Sequence, residues 1–344
     1  MTSPGAINKV VRRLRDCTVL LLVLLQPQIP AQAKTPVNEG APTKQAIDRG
    51  LVFLARDAVA WNQEHHCASC HHAALVVWAM NEAKARGHTT HESVRSDLTR
   101  ALTEVGDGKT SLPRPPGIPR ALNTKALYFA LGLGSAGHLT TNQSEALNRL
   151  VETVKADQTD AGNWAAWPGS LPPILGRSDE RMTLLAALAL LPAAQSGDLA
   201  AKRAIEDGVT WLKATRSDQD PQSTALRLML WTRLGRLSSE RSPLVRRIRS
   251  TQKPDGGWSQ TAKGPSDAWA TGQALYALSL AAKSECEPTL RRGRAFLIRS
   301  QRADGSWPML SRSEKPGEKA AESAIPITGA GSAWAVIGLV NAAN

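Results

Sequence analysis

Three short segments of one pattern constrain this chain more than any other feature. Gln158, Gly162 and Trp164, then Gln252, Gly256 and Trp258, then Gln301, Gly305 and Trp307, all read Gln, three residues, Gly, one residue, Trp. A second pattern accompanies them. Residues 46–54 match residues 204–212 in Ala-Ile-x-x-Gly-x-x-aromatic-Leu, and Gly293, Phe296 and Leu297 keep the Gly-x-x-aromatic-Leu part. Gln301 follows Leu297 by four residues, so the two patterns form one unit: helix, Gln at its end, Gly turn, Trp, next helix. Such units bury their apolar faces only by stacking on one another, which predicts a repeat architecture. The Gly allows the backbone to turn at positive φ after a helix, and the Trp ties one helix pair to the next as a structural residue. This explains a composition of ten Trp beside only three Phe and two Tyr.

Apolar residues at three- and four-residue spacing, broken by Gly and Pro, predict twelve helices. They fall near 44–58, 70–86, 91–106, 120–132, 142–156, 179–194, 199–215, 221–236, 240–251, 266–283, 287–300 and 331–342, with no competing alternation of a strand. The repeats built on Gln158/Trp164, Gln252/Trp258 and Gln301/Trp307 resemble the QW repeats of the squalene-hopene cyclase and protein prenyltransferase superfamily. Residues 266–278 and 329–336 look like inner helices of exported bacterial proteins that carry these repeats, and a subset of those proteins resembles this one in its Cys-x-x-Cys-His segment. The resemblance implies an all-α fold, a single α/α toroid of about six inner and six outer helices, spanning residues 44–344.

If alternate helices are inner, their N-termini share one mouth of a central cavity. That topology brings together Cys70, His71 and His72; Asn123 and Thr124; Asp179, Glu180 and Arg181; Ser223 and Thr224; Asp267, Trp269 and Thr271; and Ser332 and Trp334. Positive helix-dipole ends there favour anions. Asp179, Glu180 and Asp267 are the candidate catalytic carboxylates, and Arg181, Trp269, Thr271 and Trp334 the candidate cavity lining. The cyclases resembled here use a D-x-D-D acid. The nearest match, Ser178-Asp179-Glu180-Arg181, puts an Arg where the paired acid belongs, and an Arg lowers a neighbouring carboxyl's pKa. For Asp179 and Glu180, capping and first-turn charge are the plainer roles. Prenyl transfer needs zinc on Asp, Cys and His; Asp267 has no Cys two residues on.

Residues 65–72 read His-His-Cys-Ala-Ser-Cys-His-His and hold four of the seven His and two of the four Cys. Cys67, Cys70 and His71 form C-x-x-C-H, the attachment signature of haem c: two thiols for the vinyl groups and an imidazole for the iron. Met80 lies too far along the same helix to serve as sixth ligand; Met182, Met229, Met309, His88 and His91 are the others on offer. The rival readings are zinc on Cys67, Cys70 and two of the neighbouring His (His66, His71 and His72 foremost, or His65, His88 and His91), and a plain Cys67–Cys70 disulfide or free thiols with no cofactor. Cys286 reads as inert.

Residues 1–33 read as an export signal: a basic stretch from Lys9 to Arg15, an apolar core too short to span a bilayer, and Ala31-Gln32-Ala33 as the cleavage site, cut after Ala33. Residues 34–43 read as a linker. An exported, periplasmic or extracytoplasmic protein meets the conditions for both disulfides and haem c. The formal net charge is +12, of which residues 1–33 hold three. Its Arg and Lys form no single dense run and no nucleic-acid motif, so the expected partners exclude nucleic acid and include an anionic surface such as a membrane, met peripherally. The functional expectation is haem-dependent redox or ligand binding with a redox partner, the cavity holding an apolar or isoprenoid-like molecule. The alternatives are a triterpene-cyclase-like isomerase with non-standard acids and a non-catalytic binding scaffold.

Overall fold

The structure, a computed structural model, describes residues 40–65, 70–106, 122–166, 173–174, 178–215, 220–261, 263–311 and 326–343. The export signal and the cleavage site lie outside the described residues, as do all but the last residues of the expected linker; helix α1 already begins at Gly40. The helices are α1 (Gly40–His65), a π-helical turn (Cys70–Ala74) running into α2 (Leu75–Ala85), α3 (Glu92–Gly106), α4 (Thr124–Gly134), α5 (Thr141–Ala156), α6 (Asp179–Gln195), α7 (Leu199–Ala214), α8 (Pro221–Arg233), α9 (Ser238–Ser250), α10 (Ala268–Ser300) and α11 (Thr328–Ala342). Helix α10 is two rods joined at Ala282, whose φ of −161° and ψ of 50° break the helical path. With α10 counted as two, the described residues hold the twelve expected rods. Extended pairing among them is limited to isolated bridges such as Gln158 with Trp164.

The rods alternate between two rings. Helices α2, α4, α6, α8, the first half of α10 and α11 are buried almost all round, whereas α3, α5, α7 and α9 bury one stripe. A helix apolar on every side needs protein on every side, so the first set is the inner ring. Each inner helix packs on the next, α2 on α4, α4 on α6, α6 on α8, α8 on α10, α10 on α11, and α11 back on α2. The architecture is therefore an all-α α/α toroid. Helices α10 and α11 approach most closely. A Cβ on Gly272 would overlap the carbonyl of Trp334, and Gly338 lies against Gly272 itself.

The repeat is a set of hydrogen bonds made three times over. The side-chain amide of Gln158 donates to the carbonyls of Gly162 and Ala204, both at 2.8 Å. Gln252 does the same to Gly256 and Thr289, and Gln301 to Gly305 and Ala46. Each Gln thus ties its own turn to the following outer helix. Each Trp indole N–H donates to a carbonyl ten residues earlier: Trp164 to Val154, Trp258 to Ile248 and Trp307 to Leu297. Each Trp backbone N–H donates to a hydroxyl on the next inner helix, Thr183, Thr271 or Ser332. The third copy closes the ring. Gln301 reaches Ala46 and accepts from Arg49, joining the end of α10 to α1 across more than 250 residues.

Candidate functional site

Cys67 and His66 lie outside the described residues, and for His65, Cys70 and His71 only the backbone is described. Cys70 and His71 open the π-helical turn that leads into α2, so the C-x-x-C-H segment joins the end of an outer helix to the start of an inner one. His72 is buried. Its ring stacks on Trp61 with 3.9 Å between centroids and 6° between planes. Its Nε2 lies 3.7 Å from Asp57 Oδ2. Burial pushes the Asp57 carboxyl above its usual range, against the pull of Arg56.

Beside this corner a cleft of about 370 Å³ runs between α1, the π-helical turn and α3. Its walls include Ala58, Trp61, Ala73, Leu98 and Ala101, with Arg100 and Glu104 at the rim. The apolar members of the lining suit the face of a flat macrocycle, while its charged edge holds the carboxylates of Asp97 and Glu104 and the guanidinium of Arg100, which pairs with Asp97 at 2.7 Å. The same first turn of α11 touches both this corner and a thioether, since Gly329 lies against His72 and Gly331 against Met309. Met182 and Met229 are buried within inner helices. His88 and His91 follow the far end of α2, roughly 20 Å along the helix from Cys70, so they cannot complete a zinc site with it. His88 sits instead 3.7 Å from Asp48. No group of three potential metal ligands occurs among the described residues.

At the N-terminal mouth the structure brings the expected residues to the inner-helix starts and gives most of them local roles. Asn123 caps α4. Asp179 accepts from the backbone N–H of Ala166 at 2.8 Å and from Asn163 at 3.3 Å. Asp267 caps α10 through Ala270 and accepts from Gln260 N–H at 3.2 Å. These two carboxylates are equivalent. Each lies four residues before the hydroxyl that holds the repeat Trp, and each receives the N–H two residues after that Trp. Thr328 fills the same place in the third copy, accepting from Met309 N–H. Burial raises the Asp267 carboxyl pKa, but its bonds are those of a repeat position. Thr271, expected to line the cavity, has its hydroxyl committed to Trp258, because the repeat needs an acceptor for that N–H. Glu180 is buried and paired with Arg227 at 2.5 Å. Arg181 reaches Gln222 at 3.4 Å, and Gln222 in turn donates to the carbonyl of Pro173. Ser223 and Thr224 bond to Asp220 at the start of α8.

The axis itself is aromatic. Trp334 meets Trp78 at 5.1 Å, Trp269 at 6.0 Å and Tyr276 at 6.2 Å. The indole N–H groups of Trp269 and Trp334 and both amide atoms of Gln273 are buried without a hydrogen-bond partner among the described residues. At the C-terminal ends of the inner helices sits a polar cluster that sequence reasoning missed. Glu82 accepts from Tyr276 at 2.8 Å, Arg86 at 2.8 Å, Trp78 at 3.2 Å and Asn341 at 3.2 Å. Arg233 donates to the Tyr276 hydroxyl. Burial pushes that phenol's pKa well up. A cavity of about 100 Å³ opens beside the cluster between Trp78, Leu131, Leu188, Met229 and Arg233. The sequence signal was present but faint: a lone Glu and a lone Asn within strongly apolar helices.

Comparison with known proteins agrees with this architecture. Residues 220–344 match the squalene-hopene cyclase C-terminal domain family. No curated protein matches the chain in sequence at a significant level. Among solved structures, the type II terpene cyclase MstE from Scytonema is similar with a TM-score of 0.59 at 16% identity, over 88% of this chain and 99% of that one. An ent-copalyl diphosphate synthase from Streptomyces platensis gives 0.54 at 15% identity, over 79% of this chain and 50% of that one. A family 88 glycosyl hydrolase from Bacteroides vulgatus gives 0.54 at 10% identity, over 86% and 98%. The shared feature is the terpenoid-cyclase-like toroid, which hosts unrelated chemistries.

Proposed function

We propose that this toroid carries haem c, with Cys67 and Cys70 as thioether attachments and His71 as axial ligand, and serves redox or ligand binding outside the cytoplasm. The observation that supports this reading most is the cleft between α1, the π-helical turn and α3, lined by His72 and Ala73, the two residues that follow the C-x-x-C-H segment. Bound there, the haem would supply one-electron exchange or an iron site for a small ligand. The chain's own contribution is positional. The buried helix α2 fixes the direction of the backbone at Cys70 and His71. The stack of His72 on Trp61 anchors the turn, and Ala58, Ala73, Leu98 and Ala101 give the cleft an apolar wall. Export with cleavage after Ala33 belongs to the same proposal, because haem c is attached beyond the cytoplasm.

The test is an absorption spectrum with a pyridine haemochrome assay on protein exported in a host that matures haem c. The expected result is a covalent haem signal that disappears in Cys67→Ala/Cys70→Ala. A mature, folded and colourless wild-type protein overturns the proposal.

A second reading concerns the axis. The cavity between Trp78, Leu131, Leu188, Met229, Arg233 and Tyr276, apolar with the Glu82 cluster at its edge, favours a small apolar molecule carrying one polar group. One MstE structure holds geranylgeranyl dihydroxybenzoate; a cavity of about 100 Å³ is well below the several hundred Å³ common for drug-sized ligands. Cyclase-like isomerisation would need a carboxyl group free to donate its proton into the axis. Asp179 and Asp267 are engaged by the turns after Trp164 and Trp258.

A further inference from the structure

Positive charge is concentrated in one part of the chain. Between residues 236 and 302 stand thirteen Lys and Arg against five Asp and Glu, so this stretch carries eight of the chain's net twelve positive charges. Its two outer rods, α9 and the second half of α10, pack side by side. Arg249 pairs with Glu285 across them at 3.2 Å, and Arg299 reaches the carbonyl of Asp255 in the turn after α9. Arg246, Arg247, Arg249, Arg291, Arg292 and Arg299 are all exposed. By contrast, the outer helix α7 carries Glu206 and Asp207 beside Lys202, Arg203 and Lys213, Asp198 caps it, and Lys213 pairs with Glu240 of α9 at 2.9 Å.

We propose that this α9–α10 face docks the protein on an anionic phospholipid bilayer. Eight of the nine cations on the two rods are Arg, all but the buried Arg294 on their outer side or edge, and an Arg's planar fork suits phosphate oxygens. The two rods lie side by side on the outer ring, and such a helical face suits a broad surface better than a strand held in a groove. They hold one aromatic residue, Phe296, and it is half-buried, so the face offers no platform on which bases could stack. Leu237, 72% exposed at the head of α9 between Arg236 and Arg241, adds an apolar side chain at the edge of the charge. Each cation near such a surface strengthens binding several-fold, and salt weakens it.

The test is co-sedimentation of the full chain with vesicles of phosphatidylcholine alone or mixed with phosphatidylglycerol. The wild type is compared with Arg246→Gln/Arg249→Gln/Arg299→Gln and with Lys202→Gln/Arg203→Gln/Lys213→Gln, which removes the same charge from α7. Circular dichroism checks that each variant folds. The N-terminal segment is common to all three, so it cancels. The expected result is binding to the anionic vesicles only, weakened about 100-fold in the α9–α10 variant and no more than about threefold in the α7 variant. Equal loss in both variants, retention by the α9–α10 variant, or equal binding to neutral vesicles overturns the proposal. So does binding to heparin or duplex DNA without binding to vesicles.

Discussion

At the scale of single residues, two glycines separate conformational strain from steric closure. Gly87 and Gly305 both have positive φ, +79° and +88°. A Cβ at Gly87 meets nothing within 4 Å, whereas at Gly305 it would overlap the carbonyl of Arg49. Gly87→Ala is therefore expected to cost about 1 kcal/mol, the penalty of the left-handed conformation alone. Gly305→Ala should cost at least about 2 kcal/mol more, because the outer helix must also give way. Thermal or denaturant unfolding of both variants checks this ordering. Asp267 gives a second contrast. If it serves the repeat, Asp267→Ala loses an N-cap and the bond from Gln260, about 1–3 kcal/mol. Asp267→Thr, which copies Thr328, should recover a good part of that. A Thr variant as damaging as Ala would contradict the equivalence of the two positions.

At the scale of the helical element, the repeat explains what could be read in advance. Gln, Gly and Trp at fixed spacing announced the turn, and the boundaries of most helices lie within a few residues of expectation. The pairing of hydroxyls at Thr183, Thr271 and Ser332 with the repeat Trp was not legible, because a Thr or Ser in a small-residue helix looks like many others. For the same reason Asp179 and Asp267 invited a chemical reading: an acid at a helix start has the same sequence whether it caps, receives a loop N–H or catalyses. The cluster on Glu82 escaped notice because its partners come from α2, α8, α10 and α11, and sequence distance hides their meeting. Its weight can be measured. Glu82→Ala leaves Arg86, Asn341 and Tyr276 without their shared acceptor. The expected cost is about 3 kcal/mol or more, since several donors are orphaned at once, read by denaturant unfolding.

At the scale of the whole molecule, Gln301 is a joint where the end of α10 meets α1. Gln301 donates to Ala46 and Gly305 and accepts from Arg49. Gln301→Ala should loosen α1 from α10 before the rest of the toroid unfolds. Hydrogen exchange would then show α1 losing protection first, by about 10-fold or more; uniform loss around the ring would contradict this joint's role. Helix α1 also leads into the C-x-x-C-H segment, so the closure of the fold and the placement of the proposed cofactor share one element. The sequence marked that segment through its cysteines and histidines, and marked nothing of the cleft beside it, which three separate elements assemble.

The most direct measurement is the intact mass of the exported protein, purified from a host that matures haem c. The expected mass is that of a chain beginning at Lys34 plus one haem, with that addition lost in Cys67→Ala/Cys70→Ala. A mature, folded chain at its bare mass, or lighter by the two hydrogens of a Cys67–Cys70 disulfide, would contradict it.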